Sequence, residues 1–103
     1  MVARGEVWWA ELPALGRRPV VVLTRDEVVA ALAGVIVAQV TTRRRDLPTE
    51  VPLDANDGMP RPCVVSLDNV ATERKAYLVE RITRLGPDKM ADVCRALARA
   101  TGC

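Results

Sequence analysis

The chain has 103 residues, of which 50% are apolar and 27% charged, and its formal net charge is +2. That size predicts a single domain, 1–103, that buries roughly 65% of its unfolded surface, and the composition excludes a disordered chain. No apolar run is long enough to span a membrane, and no basic leader with an apolar stretch and cleavage site opens the chain, so the expectation is a soluble cytoplasmic protein.

Gly5 to Leu12 (GEVWWAEL) is β-favouring and sets Trp8 and Trp9 on opposite faces of one strand. Pro13 and Gly16 break it into a turn. Arg18 to Leu23 (RPVVVL) is a nearly continuous apolar run, the mark of a strand covered on both faces. Pro19 stands near its start, where a strand tolerates proline. Thr24-Arg25-Asp26-Glu27 has capping-box spacing and predicts a short helix over Val28 to Ala33, ended by Gly34. Val35 to Thr41 returns to strand, Arg43 to Pro48 is a polar loop, and Thr49 to Leu53 alternates like a half-exposed strand. Ala55 to Pro62 is rich in turn residues. Cys63 to Leu67, Val70 to Thr72 and Val79 to Leu85 read as three further extended pieces. Pro87 at the first helical position opens a last helix, with Met90, Val93, Cys94, Leu97 and Thr101 along one stripe and Gly102 as the stop. Together these predict a strongly bent sheet or small barrel with helices packed on it.

Histidine is absent, which excludes a His general base and any His metal ligand. Cys63, Cys94 and Cys103 match no zinc or redox spacing, and an odd count reads as free thiols. Cys63 and Cys94 are expected in the core and Cys103 at the surface. The basic residues are thirteen Arg against only Lys75 and Lys89. Arg grips phosphate bidentately and stacks on bases, although a skewed gene composition gives the same bias. Position says more than count. Arg17 and Arg18 sit at a turn-to-strand junction, while Thr41, Thr42, Arg43, Arg44 and Arg45 sit where a later strand runs out. If those strand ends lie side by side, guanidinium and hydroxyl donors converge on a phosphate site. The plain alternative is a solvated Arg loop that guards a sheet edge. No paired carboxylates, Walker or Rossmann glycines are visible, and Ser66, the only serine, lacks a triad base.

In order along the chain, RGEVWWAELP, RRPVVVLTRD, VAQVTTRRRDLPTEVPLD, CVVSLDNVAT and ERITRLGPDKMADVCRALARATGC resemble the MazF/PemK-type toxins, and most closely their short-looped mycobacterial-type members. The resemblance implies an α+β fold, a small SH3-like barrel of the MazF/PemK/CcdB type with a C-terminal helix, working as a homodimer. It implies the toxin of a type II toxin–antitoxin system, a sequence-specific endoribonuclease of single-stranded RNA that needs no metal or cofactor. Cleavage would leave a 2′,3′-cyclic phosphate and a 5′-hydroxyl, and a MazE-like antitoxin would cover the RNA groove. The family's catalytic Arg and Thr fall on Arg18 and Thr41. The family also gives its Arg a part in proton transfer, which a guanidinium, protonated up to about pH 12, performs poorly alone.

For base recognition the candidates are Trp8, Arg17, Thr42, Arg43, Arg44, Arg45 and Asn69. The run Arg43–Arg45 suits phosphates better than bases. The loop Pro13 to Arg17 is short, so contacts made by longer loops in relatives do not transfer here. Ala71 replaces a basic or polar residue common in relatives, which leaves Asn69 and Thr72 as the candidates in that segment. Two other classes stay open at this point: a CcdB-like gyrase-binding toxin, against which the non-aromatic ending ARATGC counts, and an RNA-binding relative that does not cut.

Overall fold

A computed structural model describes all residues from Met1 to Cys103. Six strands form one antiparallel sheet in the order β4-β5-β3-β2-β1-β6. They are β1 (Glu6–Leu12), β2 (Gly16–Val22), β3 (Gly34–Thr41), β4 (Glu50–Leu53), β5 (Cys63–Arg74) and β6 (Leu78–Arg84). A short helix α1 (Asp26–Val29) follows β2, and α2 (Pro87–Thr101) closes the chain. The expected mainly-β architecture with a C-terminal helix is therefore the one observed.

The sheet curls because its two edges feed the same core. Val51 and Leu53 of edge strand β4 join Val7, Val21, Ala38, Val40, Val65, Leu85, Val93 and Ala96 in one buried cluster, with Ile82 of edge strand β6 packed against it. Lys89 Nζ also donates to Pro52 O at 3.1 Å, tying α2 to β4. The opposite face carries a smaller cluster of Ala10, Leu12, Val20, Val22, Val29, Val35, Val37 and Leu78, flanked by Val2, Trp8 and Tyr77. Apolar residues on both faces explain why RPVVVL reads as a nearly continuous run: Val21 serves one core, Val20 and Val22 the other.

Several boundaries differ from the sequence reading. The capping box at Thr24 is not formed. Thr24 is buried and its hydroxyl accepts the Ile36 N–H at 2.7 Å, so the helix begins at Asp26 without a side-chain cap and ends at Val29. A tertiary partner outcompetes the local one. Cys63–Leu67 and Val70–Thr72 are one strand, β5, not two. Its pairing with β3 passes from Val70↔Ala38 to Ser66↔Gln39, so Leu67, Asp68 and Asn69 have no partner on β3. This bulge bends the strand while Leu67 N–H bonds Thr49 O at 2.9 Å on the β4 side.

On α2 the core-facing residues are Val93 and Ala96, supported by Met90, Leu97 and Ala100. Cys94 and Thr101 are exposed. Ala96 and Ala100 take the core-facing places that the sequence pattern gave to Cys94 and Thr101, while Met90, Val93 and Leu97 stay on the stripe. Thr101 Oγ1 returns to Leu97 O at 2.8 Å.

The loop after β4 is pinned locally. Asp54 accepts the Asn56 N–H and Asp57 accepts the Asp54 N–H, both at 2.9 Å. Gly58 then turns at φ 88°, and a Cβ there would stand 2.3 Å from Thr83 Oγ1. Gly58→Ala thus combines a left-handed backbone, costing roughly 1–2 kcal/mol in a non-glycine residue, with a clash. Urea unfolding of Gly58→Ala is expected to show a loss of at least about 1 kcal/mol, whereas Gly86→Ala, with open space around it, should lie well below that.

Candidate active site

The β2–β3 ladder is short. It pairs Val22↔Val37, Val21↔Ala38 and Val20↔Gln39, then stops. The next residue of β2 is Pro19, which has no N–H with which to continue it. Beyond this point β2 stays paired to β1, through Arg18↔Ala10 and Arg17↔Glu11, while β3 stays paired to β5 as far as Thr41↔Val64. The two strand ends therefore diverge, and a gap opens between them. Continuing the same register by two residues sets Arg18 opposite Thr41 across that gap.

Two clefts meet there. A cleft of about 230 Å³ is lined by Arg18, Gln39, Thr41, Arg43, Arg45, Glu50, Ser66 and Asn69. A larger one, about 570 Å³, is lined on one wall by Trp9, Arg17, Arg18 and Pro19 and on the other by Thr41, Thr42, Met59, Pro60, Arg61 and Cys63. Arg18 and Thr41 belong to both.

Arg18 is exposed, and its Nε donates to Leu15 O at 3.1 Å, which fixes the root of the guanidinium on the turn. Thr41 Oγ1 accepts the Arg43 N–H at 3.1 Å, which leaves the hydroxyl proton free to donate. Arg18, Arg43 and Arg45 enter none of the ion pairs in the molecule. Three unpaired guanidiniums and a hydroxyl donor around one small cleft make an anion site suited to a phosphodiester. No three Cys, Asp or Glu side chains cluster closely enough to hold a metal ion.

The remaining candidates divide. Thr42 lines the larger cleft. Asn69 lines the smaller one, with its amide donating to Ser66 Oγ at 2.8 Å, and the β5 bulge carries it there. Arg44 lies outside both, in an ion pair with Asp46 at 2.6 Å. Arg17 is already occupied: its guanidinium lies over the Trp9 ring, 5.0 Å from the centroid, and pairs with Glu80 at 3.0 Å and Glu11 at 3.6 Å. It orders Trp9 more than it offers charge.

Trp8 lines neither cleft. It rests against the smaller core and donates to Glu6 Oε1 at 3.1 Å. The tryptophan in the cleft wall is Trp9. The opposite-face alternation holds, but the face that carries the cleft depends on pairings remote in sequence. Gln39, Glu50, Met59, Pro60 and Arg61 are wall residues that the sequence reading did not single out. Thr72 lies elsewhere, beside Gly34 and Thr24.

A family model described as "PemK-like, MazF-like toxin of type II toxin-antitoxin system" matches residues 3–101. The probable endoribonuclease MazF5 of Mycobacterium tuberculosis (strain ATCC 25618 / H37Rv) is 46% identical over 102 residues, covering 98% of this chain and 94% of that protein. The probable endoribonuclease MazF2 of the same strain is 43% identical over 101 residues, covering 97% and 98%. Among solved structures, the Mycobacterium tuberculosis toxin MazF-mt6 superposes with a TM-score of 0.87 at 37% identity, covering 94% of this chain and 96% of that one. An endoribonuclease in complex with its cognate antitoxin from a mycobacterial species gives 0.89 at 28% identity, covering 99% and 96%.

Cys63 is buried in the larger cleft's wall, where burial first, and then the charges of Asp57 and Asp54, raise its thiol pKa above the ordinary value. A raised pKa means less thiolate at any given pH. Mass spectrometry of iodoacetamide-treated protein at pH 8 should therefore find exposed Cys94 and Cys103 alkylated well before Cys63. Equal rates at all three would contradict this environment.

Proposed function

The chain belongs to the PemK-like, MazF-like toxins of type II toxin–antitoxin systems, and from that footing we propose that it cuts single-stranded RNA by transesterification at the gap between β2 and β3. It is an endoribonuclease, the activity for which its curated relatives are named. The observation that carries the finer reading is that Arg18 and Thr41 both line each of the two clefts that meet at the gap.

In the proposed reaction the 2′-hydroxyl attacks its own phosphate, the bond to the 5′-oxygen breaks, and the products are a 2′,3′-cyclic phosphate and a 5′-hydroxyl. Charge grows on the phosphorane oxygens. Arg18, fixed at Nε, presents its Nη donors to them, and the Thr41 hydroxyl supplies a second hydrogen bond. Donors held in place before the reaction lower the barrier most. The chemistry assigned here uses the chain's own side chains and no metal ion or cofactor. Arg43 and Arg45 attract the flanking phosphates, which predicts binding that weakens steeply with salt. Trp9, half-buried in the larger cleft, offers a flat face to a base once Arg17 moves aside.

A MazE-like antitoxin is the proposed protein partner, since relatives of this fold are seen in complex with an antitoxin. The same large cleft is the natural place for an acidic antitoxin tail. Self-association into a homodimer is proposed on the same family basis.

Purified protein incubated in EDTA with a long, sequence-diverse RNA should give discrete cuts by primer extension, each ending in a cyclic phosphate. Arg18→Ala and Thr41→Ala are each expected to lose at least about 100-fold in rate with unchanged melting temperature, because both side chains sit outside the two cores. Wild-type rates in either variant would refute its role.

A further inference from the structure

Arg18 and Thr41 stabilise charge but neither is a good acceptor for the 2′-hydroxyl proton. The wall they share contains one carboxylate, Glu50. Glu50 is the first residue of β4 and lies in register with Ser66 of β5, which in turn faces Gln39 of β3. Glu50, Ser66 and Gln39 therefore form one row across three strands on the face that carries Arg18 and Thr41.

The bonding of Glu50 is asymmetric. Oε1 accepts the Arg45 N–H at 3.0 Å and the Leu47 N–H at 3.3 Å. Oε2 has no hydrogen-bond partner among the side-chain bonds, and Glu50 enters no ion pair. One oxygen thus anchors the loop and the other remains open. A carboxylate oxygen in a cleft that takes phosphate suits a proton donor and repels a phosphate oxygen. The donor that the reaction brings to this cleft is the attacking 2′-hydroxyl.

We infer that Glu50 is the general base of the proposed cleavage, its Oε2 taking the 2′-hydroxyl proton as the O2′–phosphorus bond forms, while the Oε1 bonds hold the carboxylate in place. The inference rests on the endoribonuclease reading above. The bookkeeping closes without another reagent. The proton moves from O2′ to Oε2, the phosphorus–O5′ bond breaks, O5′ takes a proton from water, and Glu50 returns its proton to solvent. The charged groups around Glu50 are Arg18 from β2, Arg43 and Arg45 from the loop, Arg44 with its partner Asp46 beside the loop's outer side, and Asp68 from the β5 bulge, the last held by Thr49 Oγ1 at 2.6 Å.

The test is Glu50→Gln. The amide oxygen still accepts from Arg45 and Leu47 N–H, so the loop is kept while proton affinity is lost. The wild-type chain should show an ascending acid limb in kcat/KM, because only the carboxylate form accepts. Glu50→Gln should fall about 10²- to 10⁴-fold, lose that ascending limb, melt as wild type, and bind a non-cleavable RNA with a 2′-deoxy cut site as tightly as wild type. A Glu50→Gln enzyme that cuts at the wild-type rate, or slows while keeping the ascending limb, or merely changes its cut sequence, overturns the inference and leaves the nuclease reading standing. So does a wild-type profile without an acid limb, whatever the variant does. A wild-type chain that cuts no RNA at all overturns both.

Discussion

The interruption of the β2–β3 ladder after Val20↔Gln39 is the constraint on which the site depends. A sheet normally brings neighbouring strands to about 4.8 Å along their whole length, leaving no room for a ligand between them. Here each strand keeps its outer partner past the break, β1 for β2 and β5 for β3. The strand ends are separated yet still held rigidly. Arg18 and Thr41 consequently project from strand backbone, not from a mobile loop, and two clefts share them as a common wall.

The arginine-rich segment after β3 is held at both ends by the side chains that the proposed chemistry uses. Thr41 Oγ1 accepts the Arg43 N–H, and Glu50 Oε1 accepts the Arg45 and Leu47 N–H groups. Asp46, the sole non-glycine residue with positive φ, at 56°, makes the turn between them and draws Arg44 outward. Arg43 and Arg45 are thereby aimed at the small cleft while Arg44 is neutralised beyond it. Three consecutive arginines have two different fates because one aspartate follows them.

Much of this was legible in the chain itself. The strands follow from β-branched runs and alternation, and α2 from Pro87, its apolar period and Gly102. The convergence of Arg18 with Thr41 was conditional on two strand ends lying side by side, and it was the family resemblance that singled out those two residues. What was hidden was register. Whether Trp8 or Trp9 enters the cleft depends on which face of β1 meets Met59 and Pro60, some fifty residues away along the chain. The register of β1 with β2 and β6 sets that face, and the loop that carries Met59 and Pro60 is pinned through Asp54 and Asp57. Glu50 joins the site only because the Leu67–Asn69 bulge shifts β5 against β3, bringing Ser66, and with it Glu50, into line with Gln39. Thr24 and Cys94 were misjudged for a related reason: local spacing suggested a cap and a core thiol, but distant partners, Ile36 N–H and the alanine face of α2, decided otherwise.

The curled sheet also explains why such a small chain can hold an open, charged gap. Burying an apolar side chain contributes roughly 1.5–3 kcal/mol, and here both sheet faces do so. The larger core draws in both sheet edges and α2, the smaller one α1 and Leu78. The uncompensated positive charge of Arg18, Arg43 and Arg45 remains exposed to water, where mutual repulsion is weak. Under the proposed function, an anionic backbone entering the gap displaces that water and turns the repulsion into binding. In the proposed reaction, the charge that costs the free protein little is thus the charge that a phosphodiester meets most strongly, and the one carboxylate in the small cleft is the proposed proton acceptor.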